Sequence, residues 1–265
     1  MNRIHFFEIE DQDWCPKVLR DGVTDFLQYI VQAYHLYQPI TERLVNALNQ
    51  SGHDRVVDLC SGGAGPWLSL WNDVLQQSDN RILSVTLTDL YPNLSAFRAA
   101  HSKNIRIEFC AEPVDATQVP REIKGFRTFF SSFHHLKPEQ AKTVLQDAVD
   151  AKTGIAIFES TQRHPLLLVY MLFTPFLVWL NTPFIRPWRW SRIFCTYVIP
   201  LIPFIVMFDG IVSCLRTYTP AELKTMIDSI SAPYYEWDIG LQRIGILPVG
   251  ITYMIGYIRK ENKSN

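Results

Sequence analysis

Apolar positions recur along this chain in two rhythms. Between Pro16 and Gly52 they keep helical spacing, first from Val18-Leu19 through Tyr34 and then from Ile40 through Leu48, with a break near Tyr37-Gln38-Pro39. That pattern predicts two helices. From Arg55 onward, short β-branched or aromatic runs alternate with helical stretches. Val56-Val57-Asp58 enters a glycine-rich turn followed by the periodic segment Trp67 to Leu75, and Ile82 to Asp89 and Ile105 to Cys110 follow as strand-like runs. Phe126 to Phe133 and Gly154 to Ser160 read as a fourth and fifth strand, separated by a helix that Pro138-Glu139-Gln140 opens and that runs to about Ala151. Thr219-Pro220-Ala221-Glu222 has the spacing of a capping box at a helix start, and Tyr234 to Ile239 and Gly250 to Ile258 predict a closing antiparallel hairpin. Strands alternating with helices predict an α/β chain.

One stretch breaks both rhythms. Leu166 to Leu180 carries no charge over fifteen residues and Ile193 to Phe208 none over sixteen, with Arg186-Pro187-Trp188-Arg189-Trp190-Ser191-Arg192 between them. Each run falls short of the ~20 residues that a spanning helix needs. Proline interrupts both, at Pro175 in the first and at Pro200 and Pro203 in the second. A two-pass hairpin also places Arg186, Arg189 and Arg192 on the far side of a membrane, against the positive-inside bias. Two arrangements stay open. In one, the runs enter a single leaflet from residues 165–212, with Trp188 and Trp190 at the interface and the arginines on phosphates. In the other, they cap the sheet over a dry pocket. Either one suits a lipophilic ligand.

The glycine-rich turn Cys60-Ser61-Gly62-Gly63-Ala64-Gly65-Pro66 carries the chemistry. Side chains at the glycine positions would keep a ligand off the backbone, and exposed N–H groups at the following helix start suit a polar or anionic group. The next strand ends in Asp89, an acid able to accept hydrogen bonds from both hydroxyls of a ribose. The third leads into Asp115-Ala116-Thr117, an acid beside a small residue. Taken singly, Asp58 reads equally as a turn cap, Asp89 as a solvated strand-end acid and Asp115 as a turn acid.

Acid, glycine loop, acid and acid on successive strand ends resemble class I S-adenosylmethionine-dependent methyltransferases, and the likeness runs from about Arg55 to Lys260. The resemblance implies a doubly wound, mostly parallel seven-stranded sheet, with N-terminal helices and an apolar helical insert between strands five and six. It implies S-adenosylmethionine as cofactor, with Asp58, Cys60, Gly62, Gly63 and Gly65 near the methionine part, Asp89 at the ribose, Asp115 and Ala116 at the adenine, and Leu90 among the cofactor-binding residues. Ser-Phe-His-His-Leu-Lys-Pro-Glu-Gln is similar to the segment many small-molecule members carry after strand four. It brings Ser131 to the cofactor and His134 and His135 beside the transferring methyl.

A neutral imidazole is a competent base for a hydroxyl acceptor, although such a pair also serves structurally beneath the cofactor. Glu159, ending the fifth strand, orients a substrate or caps. Asp209 and Arg216 hold a polar group or pair with each other. No metal is expected. The loop departs from a nicotinamide-type G-x-G-x-x-G, because position 68 is Leu68 rather than glycine.

At 265 residues the chain suits one α/β domain. The expected division is an N-terminal helical cap over 1–52 and a methyltransferase domain over 53–265, with the apolar insert at about 161–217. Net charge is −1, which gives no global field for nucleic acid. Cys15, Cys60, Cys110, Cys195 and Cys214 show no metal or disulfide spacing and read as reduced thiols. The first residues lack the pattern of a secretory leader, so the expected location is cytoplasmic, peripheral or monotopic on the inner membrane face. The expected activity is methyl transfer to a lipophilic small molecule or lipid, most simply at oxygen. The rivals are a nicotinamide-dependent lipid oxidoreductase and a non-catalytic membrane-associated scaffold. Oligomeric state is not legible.

Overall fold

In a strand, successive side chains face opposite sides, and here both sides of the sheet are covered. The computed structural model describes residues 1–78, 82, 84–245 and 248–259. Its strands are β1 (Arg55–Asp58), β2 (Ser84–Leu87), β3 (Ile107–Phe109), β4 (Phe126–Phe130), β5 (Ile155–Glu159), β6 (Tyr235–Arg243) and β7 (Gly250–Ile258). They lie in the order β3-β2-β1-β4-β5-β7-β6. The first five run parallel, and β7 is antiparallel to both β5 and β6. The sheet is therefore mixed, its reversed strand being the return of the terminal hairpin.

Ten α-helices accompany these strands among the described residues: α1 (Lys17–Ala33), α2 (Thr41–Ser51), α3 (Trp67–Gln77), α4 (Leu94–Lys103), α5 (Pro138–Asp150), α6 (Pro165–Leu172), α7 (Thr174–Asn181), α8 (Trp190–Ile193), α9 (Leu201–Arg216) and α10 (Pro220–Asp228). Strand alternation sorts the core. Val56, Phe126, Ala156 and Phe158 join one cluster with residues of α2, α3 and α4. Val57, Phe129, Ile155 and Ile157 join the other, with α5 and Leu223 of α10. Arg127 shares the Phe129 face of β4 and is neutralised at 2.7 Å by Asp147 of α5. A third cluster lies off the sheet, where Val23 and Phe26 of α1 pack against Val178 of α7 and Ile202, Ile205 and Val206 of α9.

Three expectations change in detail. β4 stops at Phe130 rather than Phe133, because Ser131 takes a φ of 44° and Phe133–His135 wind into a 3₁₀ turn. Helix α4 has no counterpart in the sequence pattern; Asn93 caps it by accepting from the N–H of Ala96. Leu83 of the expected second strand, and 260–265 at the end of the expected domain, lie outside the described residues.

Helices α6 to α9 occupy the charge-poor stretch between β5 and β6. Pro175 lies in the first turn of α7 and Pro200 just ahead of α9, where each breaks its run, whereas Pro203 is accommodated in the first turn of α9 and does not interrupt it as expected. Among the described residues no single helix is long and apolar enough to cross a membrane. Two bent pairs pass by length and composition, Pro165–Leu172 with Thr174–Phe184 at 48° and Trp190–Val198 with Leu201–Arg216 at 78°.

Candidate active site

In an open parallel sheet the ligand crevice opens at the carboxyl ends of the strands where neighbouring connections diverge, here between β1 and β4. The glycine turn sits there. Asp58 is almost fully buried and accepts from Thr128 Oγ1 and Ser61 Oγ, both at 2.7 Å. Burial pushes its carboxyl up to about 6, against those two hydrogen bonds, which favour the anion. Gly65 has φ +55°, and a Cβ there would lie 3.0 Å from Asp58 Oδ2, so the turn closes directly over the acid. The N–H of Gly62 donates to Asp89 Oδ2 at 2.8 Å, and that of Tyr91 donates to Oδ1 at 2.9 Å. Asp89 thus fastens the loop to the end of β2 while its remaining lone pairs stay free to accept.

The three acids come together around Cys60. Burial first, and then Asp89, Asp58 and Asp115, hold that thiol far above its ordinary pKa, which removes it as a nucleophile. Asp115 is exposed and accepts from the N–H and the hydroxyl of Thr117, with Ala116 buried beside it. A Cβ at Gly62 would meet nothing within 4 Å, so open space lies against the loop. Leu90, 44% exposed, and Tyr91, 81% exposed, offer apolar faces next to Asp89. Gly63 faces α1 instead: a Cβ there would fall 3.1 Å from Gln28 Oε1, and Gln28 also donates to the carbonyl of Gly65. Helix α1 therefore braces the loop, a contact without a signal in the sequence.

Ser131, expected at the cofactor, is committed elsewhere. Its hydroxyl accepts from Tyr37 at 2.6 Å and meets Ser160 Oγ at 2.8 Å, which ties the N-terminal helices to the ends of β4 and β5. The two histidines part company as well. His134 is buried; its Nδ1–H donates to Glu159 Oε2 at 2.6 Å, and Glu159 Oε1 accepts from the N–H of Phe133 and of His134. Because a carboxylate only accepts, Nδ1 carries the proton and the lone pair is left on Nε2. Glu159 thus caps the 3₁₀ turn through Oε1, as one of its two expected roles has it, and orients His134 through Oε2.

His135 corrects the expectation of a second base. Burial works against its imidazolium, yet Glu8 and Asp11 outweigh that and hold its pKa up at about 9. Its Nδ1 lies 3.0 Å from Asp11 Oδ2. Without a competing cation the ring keeps its proton at neutral pH, so it does not serve as a base.

The acids that do this belong to an arm, residues 1–15, that lies over the ends of β4 and β5. Glu8 is buried and meets Arg216 Nη1 at 2.9 Å, and the N–H groups of Ile9 and Glu10 donate to Asp209 at 2.7 and 3.0 Å. Arg3 donates to the carbonyls of His134, Leu136 and Arg216, and its guanidinium sits 4.0 Å from the Tyr218 ring centroid. Asp209 and Arg216 therefore do not pair with each other; both hold the arm. The acidic residues of the arm are visible in the sequence, but their partners lie far along the chain.

The arginines of the apolar stretch also depart from expectation. Arg192 is buried and pairs with Asp25 of α1 while donating to the carbonyls of Ile185 and Pro187, and Arg189 pairs with Asp21 at 3.2 Å. Two acids on one face of α1 satisfy them internally. Arg186 alone of the three is exposed, 5.4 Å from the Trp188 ring centroid.

No protein-family model matches the chain, and no curated protein sequence does. Solved structures do. The plantazolicin methyltransferase BpumL, in complex with S-adenosylhomocysteine, superposes with a TM-score of 0.50 at 12% identity, over 92% of this chain and 98% of that one. A Rhodobacter sphaeroides protein described as a Zn-dependent alcohol dehydrogenase gives 0.50 at 11%, over 90% and 98%. Human N-acetylserotonin methyltransferase, in complex with S-adenosylmethionine, gives 0.49 at 12%, over 91% of this chain but 58% of that one, so the chain spans under two-thirds of its length. At such identities the likeness is one of fold. The chain has the class I S-adenosylmethionine-dependent methyltransferase fold.

Proposed function

We propose that this protein transfers a methyl group from S-adenosylmethionine to an oxygen of a lipophilic small molecule or lipid at a membrane surface. The observation that carries the reading is the meeting of Asp58 and Asp89 on one glycine turn at the switch point of the sheet, with Asp115 next to Val114, whose N–H donates to the carbonyl of Asp89. The residues fit the cofactor: open space above Gly62 for its amino-acid part, Asp89 for ribose hydroxyls, and Ala116 with Leu90 for the base. Bound there, the cofactor supplies a methyl made electrophilic by its sulfonium. What remains for the chain is to align the acceptor, exclude water and remove a proton. His134, oriented by Glu159 and with Nε2 free of hydrogen bonds, is the base this geometry supports.

Membrane contact is supported by the surface of the apolar stretch. No residue of α6 is buried, and Leu172, Phe173, Phe176, Leu180 and Trp190 are each more than half exposed. Apolar patches of that extent are unusual on a water-facing surface. The bends within both helix pairs favour insertion into one leaflet over spanning, and the same surface brings a greasy acceptor to the crevice. The location we propose with it is cytoplasmic and peripheral.

Calorimetry with S-adenosylhomocysteine, NADH and NADPH tests the cofactor. S-adenosylhomocysteine alone is expected to bind, and Asp89→Ala to weaken it about 100-fold, the value of two lost charge-assisted hydrogen bonds. Heat with a nicotinamide cofactor instead would move the reading to an oxidoreductase. Binding without any transfer of labelled methyl to a membrane lipid extract would move it to a scaffold.

A further inference from the structure

We propose that Glu8, His134 and His135 form a site for one divalent cation of the zinc class, which fastens the N-terminal arm to the end of β4. Their ligand atoms all lie within 4.8 Å of one another. Glu8 Oε1 is 3.7 Å from His134 Nε2, and Glu8 Oε2 is 3.4 Å from His135 Nδ1. An ion with tetrahedral bonds of ~2.0–2.1 Å holds its ligand atoms roughly 3.3 Å apart, so small side-chain shifts close the set.

The second observation is an orphan. His134 Nε2 is buried and has no hydrogen-bond partner, although its ring is fixed from the other side by Glu159. A carboxylate that accepts Nδ1–H and presents the opposite lone pair is the arrangement that prepares a histidine for a metal. Asp11 Oδ2, 3.0 Å from His135 Nδ1, stands ready as a fourth donor.

Charge balance points the same way. Glu8, Asp11 and Glu159 bring three carboxylates to the two imidazoles, and the permanent cation among them is Arg216, at 2.9 Å from Glu8 and 3.2 Å from Asp11. One divalent ion, taking the place of the His135 proton, would meet the remaining two negative charges. Arg216 Nη1 bonds Glu8 Oε1 and leaves Oε2 facing His135, so the guanidinium and an ion can share that carboxylate.

The ion takes the lone pair that His134 would use as a base. The metal-loaded chain accordingly holds its arm closed and its acceptor side silent, and removing the ion frees both. The cofactor half is untouched, so S-adenosylhomocysteine binding stays the same with and without metal.

The test uses the full chain, stripped with chelator and reloaded with Zn²⁺ or Co²⁺ alone. We expect about one equivalent retained after dialysis, a visible Co²⁺ ligand-field spectrum of low coordination number, and amide exchange in residues 1–15 slowed about tenfold or more by Zn²⁺. Glu8→Gln and His134→Ala lose the bound ion with unchanged far-ultraviolet circular dichroism. Glu159→Gln weakens it about 10–100-fold. Where a variant does not fold, the exchange comparison on the unsubstituted chain decides alone. Failure of the reloaded protein to retain metal, or retention that neither slows the arm nor responds to His134→Ala, overturns the site.

Discussion

The two sides of the crevice are assembled over different distances along the chain. On the cofactor side, Ser61 reaches back three residues to Asp58 and Gly62 bonds Asp89 across 27, with Thr128 the far partner at 70. On the acceptor side, His135 meets Asp11 across 124 residues, Ile9 meets Asp209 across 200, and Glu8 meets Ser213 across 205. The first set belongs to strand ends inside the core and opens only with the sheet. The second joins residues 1–15 to the body through side-chain hydrogen bonds and ion pairs rather than sheet pairing, and segments held that way open locally without global unfolding. On the proposed function, cofactor binding would rest on the fold and access to the acceptor side on the arm.

The largest expected effect tests that division at its boundary. In metal-free protein, His134→Ala should lower methyl transfer to a lipid extract about 10²–10⁴-fold, the usual range for losing a positioned base, with S-adenosylhomocysteine affinity unchanged. His135→Ala should leave transfer within about tenfold, because a ring already protonated at neutral pH abstracts nothing. Equal losses from the two changes, or a fall in cofactor affinity from either, would merge the two sides into one unit.

The same difference decides what can be read without a structure. Asp58, the glycine turn, Asp89 and Asp115 are legible because each follows a strand whose apolar run fixes its place, and local spacing is all the motif needs. The capping box of Thr219 with Glu222 is legible for the same reason. Glu8 and Asp11 are visible only as an acidic arm, since nothing near them in the sequence indicates histidines more than a hundred residues away. Arg189 and Arg192 read as lipid-facing because their partners, Asp21 and Asp25, sit on α1, whose polar face looks like any solvated face until α8 lies on it. The surroundings of Ser131 are hidden for another reason. Its left-handed backbone turns the hydroxyl toward Tyr37, a conformation that serine does not announce.

A smaller effect comes from pH. Asp58 is the buried acid of the cofactor side, with its carboxyl raised to about 6. Below that value it is neutral and contributes nothing to a bound ammonium group; above it, the anion attracts one. Affinity for S-adenosylhomocysteine should therefore rise about tenfold between pH 5 and pH 7, roughly one unit of linkage, and Asp58→Asn should flatten the profile. A rise that survives the Asp58→Asn change would assign the titration to another group, with His135 excluded because its proton is lost only near 9.

The smallest effect separates surface arginine from structural arginine. Arg186→Ala removes an exposed cation beside Trp188 and should weaken binding to anionic vesicles about fivefold, the ~1 kcal/mol that one basic side chain contributes near a charged surface. Arg192→Ala removes a buried partner of Asp25 and leaves that carboxylate only the more distant Arg189, at 3.6 Å. Its signature should be a lower melting temperature, with vesicle binding of the folded fraction unchanged. Cosedimentation at two salt concentrations measures the first change and thermal unfolding the second. If neither variant alters vesicle binding, and neutral vesicles capture the protein as well as anionic ones, the interaction is carried by the apolar faces of α6 and α7 alone. If no vesicles capture it, α6 to α9 form a cap over the acceptor crevice, and their exposed aromatic side chains need another protein surface to cover them.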